Sequence, residues 1–282
     1  MLTEHNGKQW FFEELYPDHG FGFEVSEVLV PEYDTGFQKL AVLNTPCFGK
    51  VLVLDNIVQF AEFDEYFYHE SIAHTALFSH ENPRRVLIVG GGDCGVAREV
   101  LKHDSVEELT IIDIDPEVTK ISKQHFPSVS HDALDDPRLT ILHEDASRID
   151  TLFEPHTFDV ILMDTTDNIG NAVPLFQGTF TEKVHALLSP DGILIRLGGS
   201  KLLQAEEVQA VTDDTMRVFG EGRVQHVSFS GVATYYGGPF ILVMAGKSEI
   251  PSPKLNNRET VQTKWYSETT HHATLSKVIK NY

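Results

Sequence analysis

An apolar segment of this chain runs directly into a glycine-rich loop that carries an acid. Residues 86–89 read Val-Leu-Ile-Val, and Gly90, Gly92 and Gly95 have the G-x-G-x-x-G spacing of a nucleotide-binding loop. Asp93 in this loop is unfavourable for a pyrophosphate, because two like charges about 4 Å apart cost on the order of 4 kcal/mol at an effective dielectric near 20. The loop therefore indicates a nucleoside whose tail carries an ammonium or sulfonium charge, and it argues against NAD.

A second acid follows the next apolar segment. Residues 109–114 predict a strand that carries an acid near its end, and this acid, Asp113, follows the glycine loop at about the spacing at which a carboxylate accepts ribose hydroxyls. Asp113 alone is more typical of a solvated acid at a strand end. The preceding loop favours the ribose role.

Two more acids, three residues apart, follow the apolar segment 158–163. Asp164 and Asp167 could bind an amine and remove its proton, since primary amines are mostly protonated at neutral pH and must lose a proton before they attack. The alternative is that both acids cap the next turn, a frequent role of aspartate. The spacing alone leaves both interpretations open.

Acids and aromatic residues alternate over residues 62–70, where two predicted domains meet. Aromatic faces stabilise cations and would shape a channel for an aliphatic chain. An amphipathic helix with its aromatic residues in the core explains the same pattern.

The composition restricts the classes of partner. With 42 acidic and 22 basic residues, the chain has a formal net charge of −20 and is a poor match for nucleic acid or an anionic membrane. A polycationic substrate fits this charge. Neither the two cysteines nor the 14 histidines show metal-ligand spacing. We expect a protein of the cytoplasm, without a bound metal or a transmembrane segment.

The order of predicted elements indicates an α/β fold. A small antiparallel β domain over 1–65 precedes a Rossmann-like, parallel-sheet domain of the class I methyltransferase type over 66–247, and 248–282 forms a C-terminal tail. Because ligands bind at the carboxyl ends of parallel strands, four acids at such ends should meet in one crevice. These acids are Asp93, Asp113, Asp145 and Asp164.

Five motifs in order resemble the spermidine synthase family, the polyamine aminopropyltransferases, from about Trp10 to Gly246. The family's Gly-Gly-Gly-Asp-Gly-Gly motif matches residues 90–95, with Cys94 in place of one glycine, and its Asp-Ser-Ser-Asp-Pro motif matches 164–168. Residues 53–59, 64–70 and 234–238 also resemble family segments.

The resemblance implies transfer of the aminopropyl group of decarboxylated S-adenosylmethionine to a polyamine, with release of methylthioadenosine and without a metal. It implies proton acceptance by Asp164 with help from Tyr68, and a homodimer or homotetramer. Carried over by position, the donor site comprises Gln38, Asp93, Asp113, Asp145 and Ala146. The acceptor site comprises His69, Asp167, Tyr235, Gln59 and Trp10.

Several positions depart from the family pattern, and most of them concern the acceptor. Family members often have a glutamine after the strand at 193–195 and then an acid that helps bind the distant amine, whereas this chain has Arg196, Leu197 and two glycines. Asn168 replaces proline, and Ala146 replaces glycine. Putrescine is the expected acceptor, while cadaverine, agmatine and longer polyamines remain alternatives.

Two other functions remain open. An amine N-methyltransferase that uses intact S-adenosylmethionine would share the glycine loop and the ribose acid, but its donor carries a carboxylate that would face Asp93. A non-catalytic homologue that binds polyamine or nucleoside is the second alternative, favoured by the changes at Leu197 and Asn168. Aminopropyl transfer is favoured by the retention of four residues, Asp93, Asp164, Asp167 and Tyr68.

Overall fold

The computed structural model describes residues 2–13, 15–16, 18–250 and 261–278. Its N-terminal part is antiparallel, as predicted, and forms two sheets. The first is the meander of β1 (Leu2–His5), β2 (Lys8–Glu13) and β3 (Phe21–Val25). The second contains β4 (Glu27–Asp34), β5 (Lys39–Thr45), β6 (Gly49–Leu54) and β7 (Ile57–Ala61), in that spatial order.

The hairpin between β6 and β7 follows from the residue types in its turn. Leu54 pairs with Ile57 across a two-residue turn. Both turn residues, Asp55 and Asn56, have positive φ angles of 50° and 64°. Aspartate and asparagine tolerate this conformation, which a type I′ turn requires and which matches the twist of the flanking strands.

The second part is an eight-stranded, mostly parallel sheet, which confirms the predicted fold class. Its spatial order is β10-β9-β8-β11-β12-β14-β13-β15, with β8 to β12 parallel and the last three strands antiparallel. The strands are β8 (Arg85–Gly90), β9 (Glu108–Ile112), β10 (Leu139–Leu142), β11 (Phe158–Asp164), β12 (Leu188–Ser200), β13 (Val224–Phe229), β14 (Phe240–Gly246) and β15 (Leu275–Lys277).

Helices cover both faces of this sheet, which explains its nearly continuous apolar strands. They are α1 (Glu65–Ser79), α2 (Gly95–Leu101), α3 (Pro116–His125), α4 (Pro127–Leu134), α5 (Ile149–Leu152), α6 (Gly178–Leu187), α7 (Ala205–Phe219) and α8 (Glu268–Thr274). Along β8, Val86 and Ile88 pack towards α1 and α2, while Leu87 and Val89 pack towards α6 and α7.

The helices α3 and α4 join the two parts of the chain. Val118 and Ile121 on α3, with Val129 on α4, pack against the buried face of the sheet β4 to β7, including Leu52 and Phe60. This contact holds the N-terminal strands over one end of the parallel sheet.

The C-terminal segment adds to the large sheet rather than extending away from it. β15 pairs with β13, and α8 begins with a capping box formed by Ser267 and Thr270. The carboxylate of Glu70 on α1 is buried and accepts backbone N–H groups of Lys264, Trp265 and Tyr266 at 2.7, 2.9 and 2.7 Å. One carboxylate thereby anchors this segment to the core.

Replacing Glu70 with glutamine should lower the free energy of unfolding by about 2 kcal/mol, because the amide nitrogen cannot accept and leaves a buried N–H without its charged partner. Chemical denaturation would measure the loss. The exposed Glu108 provides a matched control, since Glu108→Gln should change stability by no more than about 0.5 kcal/mol. Equal stability of both variants would contradict the anchoring role.

Candidate active site

A cavity of about 180 Å³ lies at the carboxyl ends of β8, β9 and β11, beneath the N-terminal strands. The chain leaves β8 for β9 on one side, and β11 lies on the other. Such a reversal opens the crevice in which ligands bind in α/β sheets. Every predicted site residue except Trp10 lines this cavity: Gln38, Gln59, Tyr68, His69, Asp93, Asp113, Asp145, Ala146, Asp164, Asp167 and Tyr235.

The glycine loop brings β8 and β11 into close backbone contact. Gly90 has a φ of +80°, and a Cβ there would lie 2.1 Å from the backbone oxygen of Asp164. The N–H of Gly91 donates to that same oxygen at 2.8 Å. A side chain at position 90 would therefore push the loop away from Asp164, so this glycine is required by a close approach.

Cys94 occupies the left-handed position before α2, with a φ of 67°. Its thiol is buried, and burial raises the pKa of the thiol well above its usual range. Because the thiolate is the reactive form, Cys94 is unsuited to act as a nucleophile. The structure supports its interpretation as a small loop residue.

Asp93 is oriented by its own loop. Its Oδ1 accepts the N–H of Gly95 at 2.6 Å, and the side chain borders the cavity. The described part of the chain places no lysine or arginine among the residues that line this cavity. A cationic ligand group is therefore the natural partner of this carboxylate.

Asp113 is held by two backbone donors. Gly92 donates to Oδ2 at 3.0 Å and Asp115 to Oδ1 at 2.9 Å, while burial raises the pKa of Asp113 to about 6. Asp115 also accepts the side-chain amide of Gln38 at 2.9 Å. Asp115 thus positions two predicted site residues, although the sequence analysis did not select it.

Asp145 and Ala146 form the next part of the cavity wall. The Oδ1 of Asp145 accepts the N–H of Ser147 at 2.8 Å and caps a short helical turn. Ala146 is buried beside it. With Asp113, these residues form a continuous surface along the strand ends, as the strand-end argument predicted.

Asp164 is half-buried, and one of its carboxylate oxygens is buried and unused. Its Oδ2 has no hydrogen-bond partner, and neither has the hydroxyl of Thr165 beside it. Burial raises the pKa of Asp164 to about 7, and the charge of Asp93 adds to this rise. The positive charge of His69 and a hydrogen bond from Tyr68 act in the opposite direction. The result is a carboxyl group that can accept a proton near neutral pH.

His69 connects the cavity to a buried network of charges. Its Nδ1 lies 2.6 Å from Glu65, which also accepts Arg98 at 2.7 Å, and its Nε2 lies 3.9 Å from Asp93. Burial alone would lower the pKa of His69, but the hydrogen bond and charge of Glu65 raise it. His69 thereby supplies positive charge beside Asp93 and Asp164.

Aromatic rings and two acids form the other end of the cavity. Tyr235 packs edge-on against Tyr68, with ring centroids 5.7 Å apart, and its hydroxyl donates to the backbone carbonyl of Gln59. Glu13 and Asp167 also line this cavity. This end offers apolar faces for methylene groups and carboxylates for an ammonium.

Glu13 was missed by the sequence analysis. Its side chain is 3% exposed and accepts the N–H of Val58 at 2.7 Å. Burial raises the pKa of Glu13 to about 7, and the charge of Asp167 contributes to the rise. The sequence signal that could have identified Glu13 is the alternation along β2, in which Phe11 and Glu13 occupy the buried positions.

Trp10 does not reach the cavity within this chain. It is separated from Glu13 by the alternation of β2, and its ring stacks with Phe12 at 6.2 Å and meets His5 edge-on. The predicted role of Trp10 in the channel therefore has no support from its position here.

Of the two residues considered at the acceptor end of β12, only Leu197 faces the cavity. Arg196 is buried on the opposite face, where it donates to Thr181 at 2.8 Å and lies 3.5 Å from Asp214. Alternation along β12 thus separates the guanidinium from the acceptor site. The acceptor end of the cavity therefore has the apolar side chain of Leu197 at this position and not the guanidinium of Arg196.

No group of three or more His, Cys, Asp or Glu side chains in the described ranges is arranged to hold a metal ion. Among the helices of those ranges, none is long and apolar enough to cross a membrane.

Comparisons with known proteins cover almost the whole chain. The family model described as spermine/spermidine synthase domain matches residues 65–256, and the model described as spermidine synthase tetramerisation domain matches residues 9–62. A polyamine aminopropyltransferase of Thermoanaerobacter sp. (strain X514) is 38% identical over 96% of this chain and 97% of its own length. One from Clostridium tetani (strain Massachusetts / E88) is 37% identical over 96% of both chains.

Solved structures agree with these matches. A spermidine synthase in complex with the transition state analogue AdoDATO superposes with a TM-score of 0.87 and 29% identity, over 94% of this chain and 90% of the other. The spermidine synthase of Thermotoga maritima gives 0.86 and 28%, over 98% and 92%. The chain belongs to the spermidine synthase family, the polyamine aminopropyltransferases.

Proposed function

We propose that this enzyme transfers the aminopropyl group of decarboxylated S-adenosylmethionine to putrescine, which yields spermidine and methylthioadenosine. The observation that carries the proposal is the unpartnered, buried oxygen of Asp164 in the same cavity as Asp93. One carboxylate is placed to hold a cation, and the other can accept a proton. The AdoDATO complex of a related spermidine synthase supports this choice of donor.

Each donor contact follows from the chemistry of the lining residues. Asp93 binds the ammonium of the aminopropyl group, and Asp113 accepts from the ribose hydroxyls. Gln38 lies beside Asp113 through their shared partner Asp115. Asp145 and Ala146 border the base. A donor with an intact carboxylate would bring a like charge to Asp93, so the decarboxylated form is preferred.

The reaction requires one proton acceptor and correct alignment. The neutral amine nitrogen attacks the carbon bonded to the sulfonium, a C–N bond forms, and the C–S bond breaks with its electron pair moving to sulfur. The nitrogen then carries an extra proton, which passes to Asp164. Tyr68 orients that carboxylate by its hydrogen bond. Holding the two reactants together supplies much of the rate enhancement.

The second ammonium of the acceptor fits the opposite end of the cavity. Glu13 and Asp167 both line it there, and His69, Gln59 and Tyr235 lie along the intervening wall. The rings enclose the methylene groups, while the acids offset the charge of the distant ammonium. This arrangement favours a diamine over a neutral amine.

Product analysis tests the proposal against its alternatives. Purified protein is incubated with the decarboxylated or the intact donor, and with putrescine, cadaverine, agmatine or spermidine, and the products are identified by mass. An aminopropyl adduct with methylthioadenosine supports the proposal. A methyl adduct indicates an amine methyltransferase, and absence of product with both donors indicates a binding protein.

The pH dependence tests the proton acceptor through its neighbour His69. Because His69 lowers the pKa of Asp164, His69→Gln should raise that pKa. Asp164 must be ionised to act, so the acidic limb of kcat/KM should move to higher pH, by on the order of one unit. His131→Gln, at an exposed position of α4, should leave the profile unchanged. If the acidic limb of the kcat/KM profile did not move in His69→Gln, His69 would have no influence on the proton acceptor.

We also propose that residues 1–65 form the contacts of a homodimer or homotetramer, a proposal supported by the match of residues 9–62 to a tetramerisation domain. Light scattering would give the subunit number. Both cysteines are unpaired, which agrees with a reducing compartment such as the cytoplasm.

A further inference from the structure

A second cavity of about 300 Å³ adjoins the acceptor end of the first. Asp167, Leu197 and Gln204 line both cavities, so these three side chains form the partition between them. Beyond the partition the lining includes Asn168, Phe176, Gly198, Glu206 and Glu207. The acceptor end of the active site is therefore bounded by a thin wall with further space and negative charge behind it.

Gln204 is the uncharged polar member of this partition, and both ends of its amide form hydrogen bonds. Nε2 donates to Oδ1 of Asp167 at 2.8 Å, and Oε1 accepts the N–H of Ser200 at 2.7 Å. The side chain is 8% exposed. Its two hydrogen bonds hold the amide in one orientation across the gap between β12 and the loop that carries Asp167.

Gly199 creates the space that Gln204 occupies. A Cβ at position 199 would lie 2.7 Å from Oε1 of Gln204, and the φ of +120° at Gly199 is a conformation that favours glycine. The volume beside Gly199 is filled by the neutral side chain of the residue before α7.

We propose that Gln204 limits the acceptor to diamines by closing the active site at the distant ammonium. This inference rests on the proposed aminopropyl transfer and identifies the acceptor class for that same site. Gln204 occupies Oδ1 of Asp167 and leaves Oδ2 for an ammonium. A triamine would have to pass between Asp167 and Leu197, through the volume of Gln204, to reach the second cavity.

The arrangement of the two cavities supports the proposed limit on acceptor length. The first cavity, of about 180 Å³, is lined by the residues proposed for the donor as well as by those proposed for the acceptor. An additional aminopropyl arm needs volume beyond the partition, where Glu206 and Glu207 would face its charge. Removing the side chain at position 204 joins the two cavities without removing an acid.

The test compares acceptor length in three variants. Gln204→Ala removes both the bulk and the hydrogen bonds, Gln204→Met keeps the bulk, and Gln209→Ala makes the same truncation at an exposed position of α7. We expect Gln204→Ala to raise the ratio of kcat/KM for spermidine to that for putrescine about tenfold or more. Gln204→Met and Gln209→Ala should retain the wild-type ratio.

The outcomes separate this inference from the proposed function. An unchanged ratio in Gln204→Ala, or an equal rise in Gln204→Met, would overturn the inference while leaving the transferase intact. If the wild type transfers no aminopropyl group, the proposed function fails. In that case calorimetric titration with spermidine still tests the role of Gln204. Tighter spermidine binding by Gln204→Ala than by the wild type supports the partition, and equal binding overturns it. Should Gln204→Ala not fold, Gln204→Ser removes most of the same bulk and keeps a polar side chain at position 204.

Discussion

Asp164→Asn should reduce kcat by about 10²-fold to 10⁴-fold, the range typical of a lost general base. Asparagine keeps the shape of the side chain but cannot take up the proton that the attacking amine releases. Binding of decarboxylated S-adenosylmethionine should change little, because the base acts on the acceptor. Steady-state release of methylthioadenosine and equilibrium binding of the donor would measure the two effects separately.

The matched control for this variant is Asp135→Asn. Asp135 lies at the end of α4, with 64% of its side chain exposed. It should retain wild-type turnover and stability. If Asp164→Asn turned over as fast as Asp135→Asn, the base would have to be another group, and Glu13, with a pKa also near 7, would be the next to examine.

Asp93→Asn should raise the Kd of the donor about 10-fold to 100-fold. The variant loses one charge-assisted hydrogen bond to the ammonium, and such bonds contribute about 1.5–3 kcal/mol. The contact of Oδ1 with Gly95 can persist, because an amide oxygen also accepts. Calorimetric titration with the decarboxylated donor would give the change in Kd.

Methylthioadenosine, the proposed product, serves as the internal control, since it lacks the aminopropyl ammonium. Its Kd should be almost the same for Asp93→Asn and for the wild type. If the variant weakened both ligands equally, the loop itself would have been disturbed. The charge argument for Asp93 would then be lost.

The fold was largely predictable because its signals are local. The apolar runs that became β8, β9 and β11 are bounded by glycines and acids, and each was recognised within two residues of its observed ends. β12 extends beyond the strand that the sequence indicated at 193–195, over Leu188–Ser200. The addition of β15 to the sheet could not be predicted, since it depends on pairing across about fifty residues of chain.

The residues of the candidate site also divide into those with a local sequence signal and those without one. Asp93, Asp113 and Asp164 were predictable because parallel strands bring their carboxyl ends to one edge. Glu13 and Gln204 were not predicted, since each reaches the cavity through contacts made only in the folded chain. Gln204 in particular depends on the backbone angle of Gly199, which no spacing rule contains.

The short strand β15 has a consequence for how the enzyme behaves at high concentration. It pairs with β13, which would otherwise present unpaired backbone groups at that side of the large sheet. Open edges of this kind are templates for strand addition by other chains. Because β15 covers Gln225–Val227 of β13, we expect proteolytic removal of the C-terminal segment to increase aggregation before it affects the chemistry of the cavity.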